Sequence, residues 1–493
     1  MKKVVYIILL AVMASGFAGC KKFLDVNKNP NDPTDESITP NLILSSSLHR
    51  MGSQMAISYA ATGRWMGYWA RSGTYGPNPD EEAYRITSTY ESNEWSTWFD
   101  ILNDLDVMEA KATELGEDFY TAAAKVLKTV GFMYLVDQYN NVPYTEAFDL
   151  NNQMFPKYDK GQDIYNDLFV QLDEALSLFQ GVTEISSENE QFDIMFGGDV
   201  TNWIEFVNTQ RLKLALRLVN VTGFDAAGQM AKITNEGFLK VTAYVQPGYT
   251  KDLNKQNPFW NSFKDLYDGS VADNFNRLNN YVKGKFQNNG DQARLERFFS
   301  PNGRSGTNYT GFNYGEVISN APSASASADV AGPALAKGPD QAQWFFTSVE
   351  SKFLQSEAIA RGWLTGNAEL SFRDAVTESF TWLGLTAAQA TTYLDQTGVD
   401  IVEWPATAAE QIITIGMQKY LALTGVNNFE AWVDYRRIGV PTDLPLSLHP
   451  SRGNNIIPLR LQYPQSEFSF NQNSVSAEGT IDPQSSRIFW DVN

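Results

Sequence analysis

The chain has 493 residues, of which 43% are hydrophobic, 13% aromatic and 19% charged, enough apolar mass for a large core and too little charge for a disordered protein. Lys and Arg total 38 against 57 Asp and Glu, a formal net charge of −19; such a surface repels phosphate backbones, no clustered basic stripe offsets it, and nucleic-acid binding is disfavoured. The single cysteine, Cys20, excludes an intrachain disulfide, and the two histidines, His49 and His449, supply neither a Cys/His zinc set nor a histidine in a recognisable nucleophile motif.

The chain opens as a secretion signal. Lys2 and Lys3 precede an apolar run from Val4 to Met13, then small residues ending at Ala18-Gly19-Cys20, the charged start, short apolar core and small-residue exit of an exported leader. The run is too short to span about 30 Å of hydrocarbon as a helix. The cysteine stands where a bacterial lipobox places its acylated residue, with Phe17 where Leu is commoner. Residues 1–19 are therefore read as a leader and Cys20 as the lipid attachment site. One acyl chain holds a protein to a membrane only marginally, whereas two or three hold it essentially permanently. No later segment offers 18 consecutive apolar residues, so the expectation is an anchored protein that does not cross the membrane.

Residues 20–40 are polar and proline-punctuated (Asn29-Pro30-Asn31-Asp32-Pro33), suited to an extended tether. Helical periodicity then predicts helices over about 41–60, 91–115, 118–139, 160–180, 200–220, 226–238, 342–363, 367–384, 387–396 and 407–424. Trp95, Trp98, Ile101, Leu102 and Leu105 recur at helical spacing and read as core. Asp199, after Gly197-Gly198, is placed to cap a helix whose Trp203, Phe206, Val207, Leu212, Leu214, Leu216 and Leu218 are too apolar for a surface position. Gly362 and Gly366 flank a turn between Phe345–Arg361 and Asn367–Leu383, a helical hairpin of tetratricopeptide size without a strict consensus. From about 241 to 340, Gly, Asn, Pro and aromatics replace the periodic pattern, and 441–493 is again loop-like. One domain over 41–493 is expected, with a helical scaffold (41–240 and 341–440) and an irregular lobe (241–340 and 441–493) carrying a few short strands.

Two stretches hold candidate binding residues. Between Gly63 and Tyr84 the aromatics Trp65, Tyr68, Trp69, Tyr75 and Tyr84 stand among glycines and prolines that forbid a continuous helix, with Arg71, Asn78 and Asp80 close by. An exposed ring covers the C–H face of a sugar while such polar neighbours bond its hydroxyls. The second stretch, Tyr249 to Tyr314, adds Trp260, Asn274 and Tyr309, although a lobe core explains most of its rings more simply. Acidic pairs are judged differently. Glu350 with Glu357, and Asp100 with Asp104, share helical faces, and solvated faces and caps account for them better than the paired carboxylates of glycoside hydrolysis. Arg436-Arg437, near Glu430 and Asp434, read as a structural ion-pair cluster, and no EF-hand spacing supports calcium.

Family-level motifs follow one another along the chain: Cys20-Lys21-Lys22-Phe23-Leu24-Asp25, Asn141-Val142-Pro143-Tyr144-Thr145-Glu146-Ala147, Pro156-Lys157-Tyr158-Asp159, Gly197-Gly198-Asp199 with Trp203 and Asn208, Glu357-Ala358 with Arg361-Gly362, Gln418-Lys419-Tyr420, Trp432 with Asp434-Tyr435-Arg436-Arg437, and Pro458 before Tyr463-Pro464. In this order, behind a lipobox, the sequence resembles the SusD/RagB family of outer-membrane nutrient-binding lipoproteins, particularly its second SusD-like subgroup. Asp291-Gln292-Ala293-Arg294 stands where the family usually has Asp-Pro-Arg, and Leu459 where an Arg is common.

The resemblance implies a mainly α fold, tetratricopeptide-like hairpins packed against an irregular lobe that carries the ligand site, with no catalysis; no cofactor or metal is expected. It further implies a surface lipoprotein of the outer membrane that captures an oligosaccharide or peptide. The captured ligand passes to a SusC-like TonB-dependent transporter, across an interface that should exceed about 2,000 Å². Two alternatives compete: an all-helical surface glycoside hydrolase using paired carboxylates, and a structural or adhesive surface protein.

Overall fold

The computed structural model describes residues 38–182, 185–453 and 455–492. The leader, Cys20 and the tether up to residue 37 lie outside the described residues. Helix α1, Pro40–Ile57, begins on a proline, whose missing N–H costs nothing in a first turn. It buries Ile43, Leu44, Leu48 and Met51 and packs on the later helix Ser92–Leu115. A short helix α2, Ala60–Trp65, leads into strand β1, Trp69–Arg71.

Helices α3, Ser92–Leu115, and α4, Asp118–Tyr139, form an antiparallel hairpin closed at Gly116, whose φ of 71° suits a residue without Cβ. The buried face of α3 is the expected one, Trp95, Trp98, Ile101, Leu102 and Leu105. Helix α4 lies between α3 and the helix Gly161–Gly181 and is buried nearly all round. At Gly131 a Cβ would stand 2.8 Å from Leu102 Cδ2, so the bare glycine permits the close α3–α4 approach. Strands β2, Val142–Pro143, and β3, Tyr158–Asp159, pair antiparallel before α5, Gly161–Gly181.

Helix α6, Val200–Arg217, is capped by Asp199, whose carboxylate accepts the Asn202 N–H at 3.1 Å. In the turn before it, Asp193 accepts the Gly198 N–H at 2.9 Å and the Trp203 indole N–H at 2.7 Å. The helix expected over 226–238 is only Ala226–Met230; beyond it the chain runs through turns, closed by the Ile233 N–H to Met230 carbonyl bond and by Gly237 at φ 78°.

The stretch expected to be irregular holds short elements: β4, Ala243–Val245; α7, Pro258–Phe263; β5, Asn276–Leu278; α8, Asn280–Asn288; and α9, Gln292–Phe298. Strand β6, Gln343–Phe346, pairs with β4, so the helix expected from 342 starts late. Thr347 caps it by accepting the Glu350 N–H at 3.1 Å, which gives α10, Ser348–Ala360.

Then come α11, Ala368–Trp382; α12, Ala387–Leu394; α13, Ala408–Ala422; and α14, Asn428–Ile438. Helix α14 lacked an apolar period because it buries charge, Glu430, Asp434, Arg436 and Arg437 among them. Short helices Gln465–Phe470 and Gln472–Ala477 stand in the C-terminal stretch. The outcome is mainly α, with hairpins stacked side by side from α1 through α3, α4, α5 and α6 to α10 and α11 and, among the described residues, sheets of no more than two strands beside them.

A chain of buried ions ties these layers. Glu430 pairs with Arg217, Lys213 and Lys419; Lys213 also reaches Glu350, and Arg217 reaches Asp137. Glu357 pairs with Arg437 and Arg361. Burial works to raise the Glu357 carboxyl, but the Arg437 guanidinium beside it brings it down to about 2. The expected structural ion-pair cluster is thus present, whereas Glu350 and Glu357 are buried partners in it and not a solvated face. Arg436 lies 3.6 Å from the Trp432 ring and donates to the Asp137 and Leu459 carbonyls. Asp291 and Arg294 also act structurally: the carboxylate caps α9, and the guanidinium spans to Ser379 and Gln418. Charges buried this thoroughly cost much desolvation, so losing one partner is costlier than exchanging both for apolar groups.

Candidate functional site

The first candidate stretch is organised by β1, which pairs antiparallel with β5 in the register Trp69↔Leu278, Ala70↔Arg277, Arg71↔Asn276. This pairing turns most of its rings inward. Trp65 lies 5.7 Å from Trp432, Tyr68 stacks on Tyr420 at 4.6 Å, and Trp69 meets Phe263 at 5.1 Å. Tyr84, at a φ of 59°, accepts the Ser447 N–H on its hydroxyl at 2.9 Å. None of these four rings is more than 2% exposed. The expectation that Trp65, Tyr68, Trp69 and Tyr84 face ligand is therefore corrected. Glycine and proline do break the helix, but a strand ribbon packed on α13 and α14 supplies a core that no helical period displays.

What reaches the surface is the loop beyond β1. Arg71 is buried and clamps that loop: its Nε donates to Glu82 at 2.9 Å, and its other nitrogens donate to the Tyr75 carbonyl and, at 3.1 Å, to the Glu316 carbonyl. Arg71 is thus a positioning group behind the surface. Glu82 in turn accepts the Asn78 N–H at 2.8 Å, and the Asn78 side chain caps the turn Pro79–Glu82. So held, Tyr75 is 43% exposed and stands edge-on to Phe275, ring centroids 5.3 Å apart.

Phe275 belongs to the loop entering β5, shaped by Asp273, which accepts the N–H groups of Phe275 at 2.7 Å and Asn276 at 3.0 Å. Burial raises the Asp273 carboxyl and lowers the Arg277 guanidinium pKa. Arg277 donates to the Asn274 side chain at 3.2 Å and to the Ala324 carbonyl at 3.1 Å, leaving Asn274 exposed. A third loop closes the face: a Cβ on Gly73 would stand 2.5 Å from Ala321 and 3.1 Å from Phe312, and Val317 is exposed beside Glu316.

Three loops thus present one exposed ring, a second half-buried ring, the Asn274 and Asn78 amides, and guanidinium groups fixed behind them. The arrangement suits stacking and hydrogen bonding. The two buried carboxylates behind it are engaged: Glu81 with Arg64, and Glu82 with Arg71. Burial works against the Arg64 charge, but the Glu81 carboxylate beside it holds the guanidinium protonated.

Of the candidate residues, Tyr75 and Asn78 lie on one loop and Asn274 on the neighbouring one, next to Phe275; Phe275, Glu316, Val317 and the 321–325 segment, which border them, were not singled out from the sequence. The Asp-Asn-Phe-Asn run at 273–276 was the available signal, an aromatic among turn formers. Tyr309 is half-buried on the 301–310 loop, which joins the neighbouring segment through the Ala328 N–H to Thr310 carbonyl bond of 2.9 Å. Trp260 is half-buried on α7, where Asn257 caps its N–H at 2.9 Å.

A family model described as SusD-like, "Starch-binding associating with outer membrane", matches residues 30–464. A SusD homologue from Bacteroides uniformis has a similar structure, with a TM-score of 0.76, 20% identity, and coverage of 92% of this chain and 99% of that one. A SusD homologue from Bacteroides fragilis gives 0.75 at 20% identity, covering 92% and 99%. A chitin-binding SusD homologue from Flavobacterium johnsoniae gives 0.74 at 21% identity, covering 91% and 99%. Among the curated proteins none matches the sequence. The fold is shared across these structures, and the match over residues 30–464 shows that this chain belongs to the SusD-like family.

Proposed function

We propose that the chain is an outer-membrane lipoprotein, held by acylated Cys20 after removal of residues 1–19, that captures an oligosaccharide outside the cell and delivers it to a SusC-like TonB-dependent transporter. The observation that carries this reading is the family match, whose description is starch-binding at the outer membrane, together with an exposed tyrosine on a loop clamped by a buried arginine. The chitin-binding structural neighbour supports a saccharide as ligand. Among the described residues no helix is long and apolar enough to cross a membrane, in keeping with anchoring by lipid at residue 20 and a tether over 20–40.

The mechanism is capture and delivery. A preformed face loses little entropy on binding, because the Arg71 clamp has already ordered the loop. Oligosaccharide bound beside the transporter raises the concentration available for import. Of the two acidic pairs with helical spacing, Glu350 and Glu357 are committed to Lys213 and Arg437, and Asp104 of the other is paired with Arg50, which disfavours the hydrolase alternative.

Three measurements test the reading together: an array of oligosaccharides and peptides, product analysis of the retained glycan, and purification from detergent-solubilised outer membrane. The reading predicts retention of a glycan without cleavage and copurification of a large barrel protein. Glycan turnover, retention of peptides alone, or absence of the barrel would contradict it.

A further inference from the structure

The β4–β6 ribbon carries rings of its own. Tyr244 and Trp344 are register partners across it, and Trp382 from α11 stands edge-on to Trp344, centroids 6.0 Å apart. The three rings wall a pocket of about 200 Å³ whose rim is formed by Lys337, Gln341 and Ala342. Both indoles are fixed by their N–H groups, Trp344 to the Val426 carbonyl at 3.0 Å and Trp382 to Thr242 Oγ1 at 3.1 Å. The rim is fixed as well. Gln341 donates to the Leu335 carbonyl at 2.8 Å and accepts the backbone N–H groups of Lys337 at 2.6 Å and Gly338 at 3.2 Å.

Tyr244 and Trp382 are only half-buried, and Lys337 is exposed at the mouth. Trp382, locked by its N–H yet partly open to water, forms with half-buried Tyr244 a preorganised platform backed by buried Trp344. With water occupying about 30 Å³, the pocket has the volume of about seven waters, enough for one six-membered ring with its hydroxyls.

We propose that this pocket is a second saccharide subsite, which takes a single pyranose ring. The C–H face of the sugar lies on Trp382 and Tyr244, and the Lys337 ammonium donates to a hydroxyl or carboxylate substituent. The subsite is built on β4, β6 and α11, separate from the β1–β5 ribbon that carries Tyr75. It rests on the proposed function only for the class of its ligand.

Saturation-transfer NMR on the full chain, with methyl α-glucoside, N-acetylglucosamine and glucuronate as probes, tests it. Four variants are compared: Trp382→Ala, Ala342→Leu (which fills the pocket), Lys337→Glu and Tyr75→Ala. The expected result is transfer to the ring protons of at least one probe, with affinity about tenfold weaker in Trp382→Ala, weakened also in Ala342→Leu, and unchanged in Tyr75→Ala. If Trp382→Ala fails to fold, Ala342→Leu and Lys337→Glu, both at the rim, carry the test.

No transfer from any probe, or transfer that persists undiminished in both rim variants, overturns the subsite. Transfer abolished by Tyr75→Ala alone overturns it too, and leaves the Tyr75 face standing. Transfer abolished by the pocket variants alone supports it, even if the Tyr75 face fails its own test.

Discussion

Replacing Arg71 by Met keeps the bulk of the side chain and removes its charge. The guanidinium is buried with Glu82, its ion-pair partner at 2.9 Å, and it also donates to the Tyr75 and Glu316 carbonyls. Removing one member of such a pair leaves an uncompensated buried carboxylate, a loss of about 3–5 kcal/mol. Unfolding entropy of about 2.1 cal/mol/K per residue gives about 1 kcal/mol/K for the roughly 450 residues described, so the melting temperature should fall by about 3–5 °C. The loop should also lose its order, so that glycan affinity falls together with stability. Calorimetry of melting, paired with titration of an array-selected oligosaccharide, reads both. A melting temperature unchanged within a degree, or a lowered one with undiminished affinity, would refute the argument that Arg71 preorganises the Tyr75 face.

Glu357 is held at about 2 against an ordinary value of 4.5, so it stabilises the fold above pH ~4.5 and that stabilisation is lost as pH falls toward ~2, by up to about 3 kcal/mol; Glu430 is shifted in the same direction, against its own burial, by Arg217 and Lys213. Urea unfolding at about pH 5 and pH 3 should show the loss, and Glu357→Gln should be less stable at pH 5 with a flatter dependence; an equally steep profile would count against the pair. Gly315 has a φ of 73°, and a Cβ there would stand 2.0 Å from Ser447 Oγ and 2.8 Å from the His449 backbone nitrogen. Gly315→Ala should therefore cost about 1–3 kcal/mol, and a melting curve matching the parent would contradict the crowding. Cys20→Ser should move the protein from the membrane to the soluble fraction of fractionated cells, and an unchanged distribution would dismiss the anchor.

The helical scaffold was legible because apolar periodicity reports a helix that buries one face, as at Trp95, Trp98, Ile101, Leu102 and Leu105. It was least legible where burial is polar. Helix α14 hides Glu430, Asp434, Arg436 and Arg437, which on a hydropathy pattern look like surface, although the order of those charges did suggest a pairing cluster. Glu350 and Glu357 were misplaced for the same reason: no single helix shows that Lys213 and Arg437 arrive from elsewhere to neutralise them. The site was legible only in part. Glycine and proline between 63 and 84 showed correctly that no helix runs through, but an aromatic outside a helix can still be buried by a long-range strand pair. The Trp69↔Leu278 register joins residues 209 positions apart, a distance over which a local pattern carries no information. Tyr75 and Asn274 reach the surface because both stand on bends, where side chains leave the core.

Calorimetric titration of the parent chain and of Tyr75→Ala with the same array-selected oligosaccharide tests the account most directly. The Tyr75 ring is exposed, so its truncation should leave the melting temperature within about a degree. The loss of a stacking face should weaken binding about tenfold. Equal affinity in a folded Tyr75→Ala chain would contradict the placement of the glycan on this face.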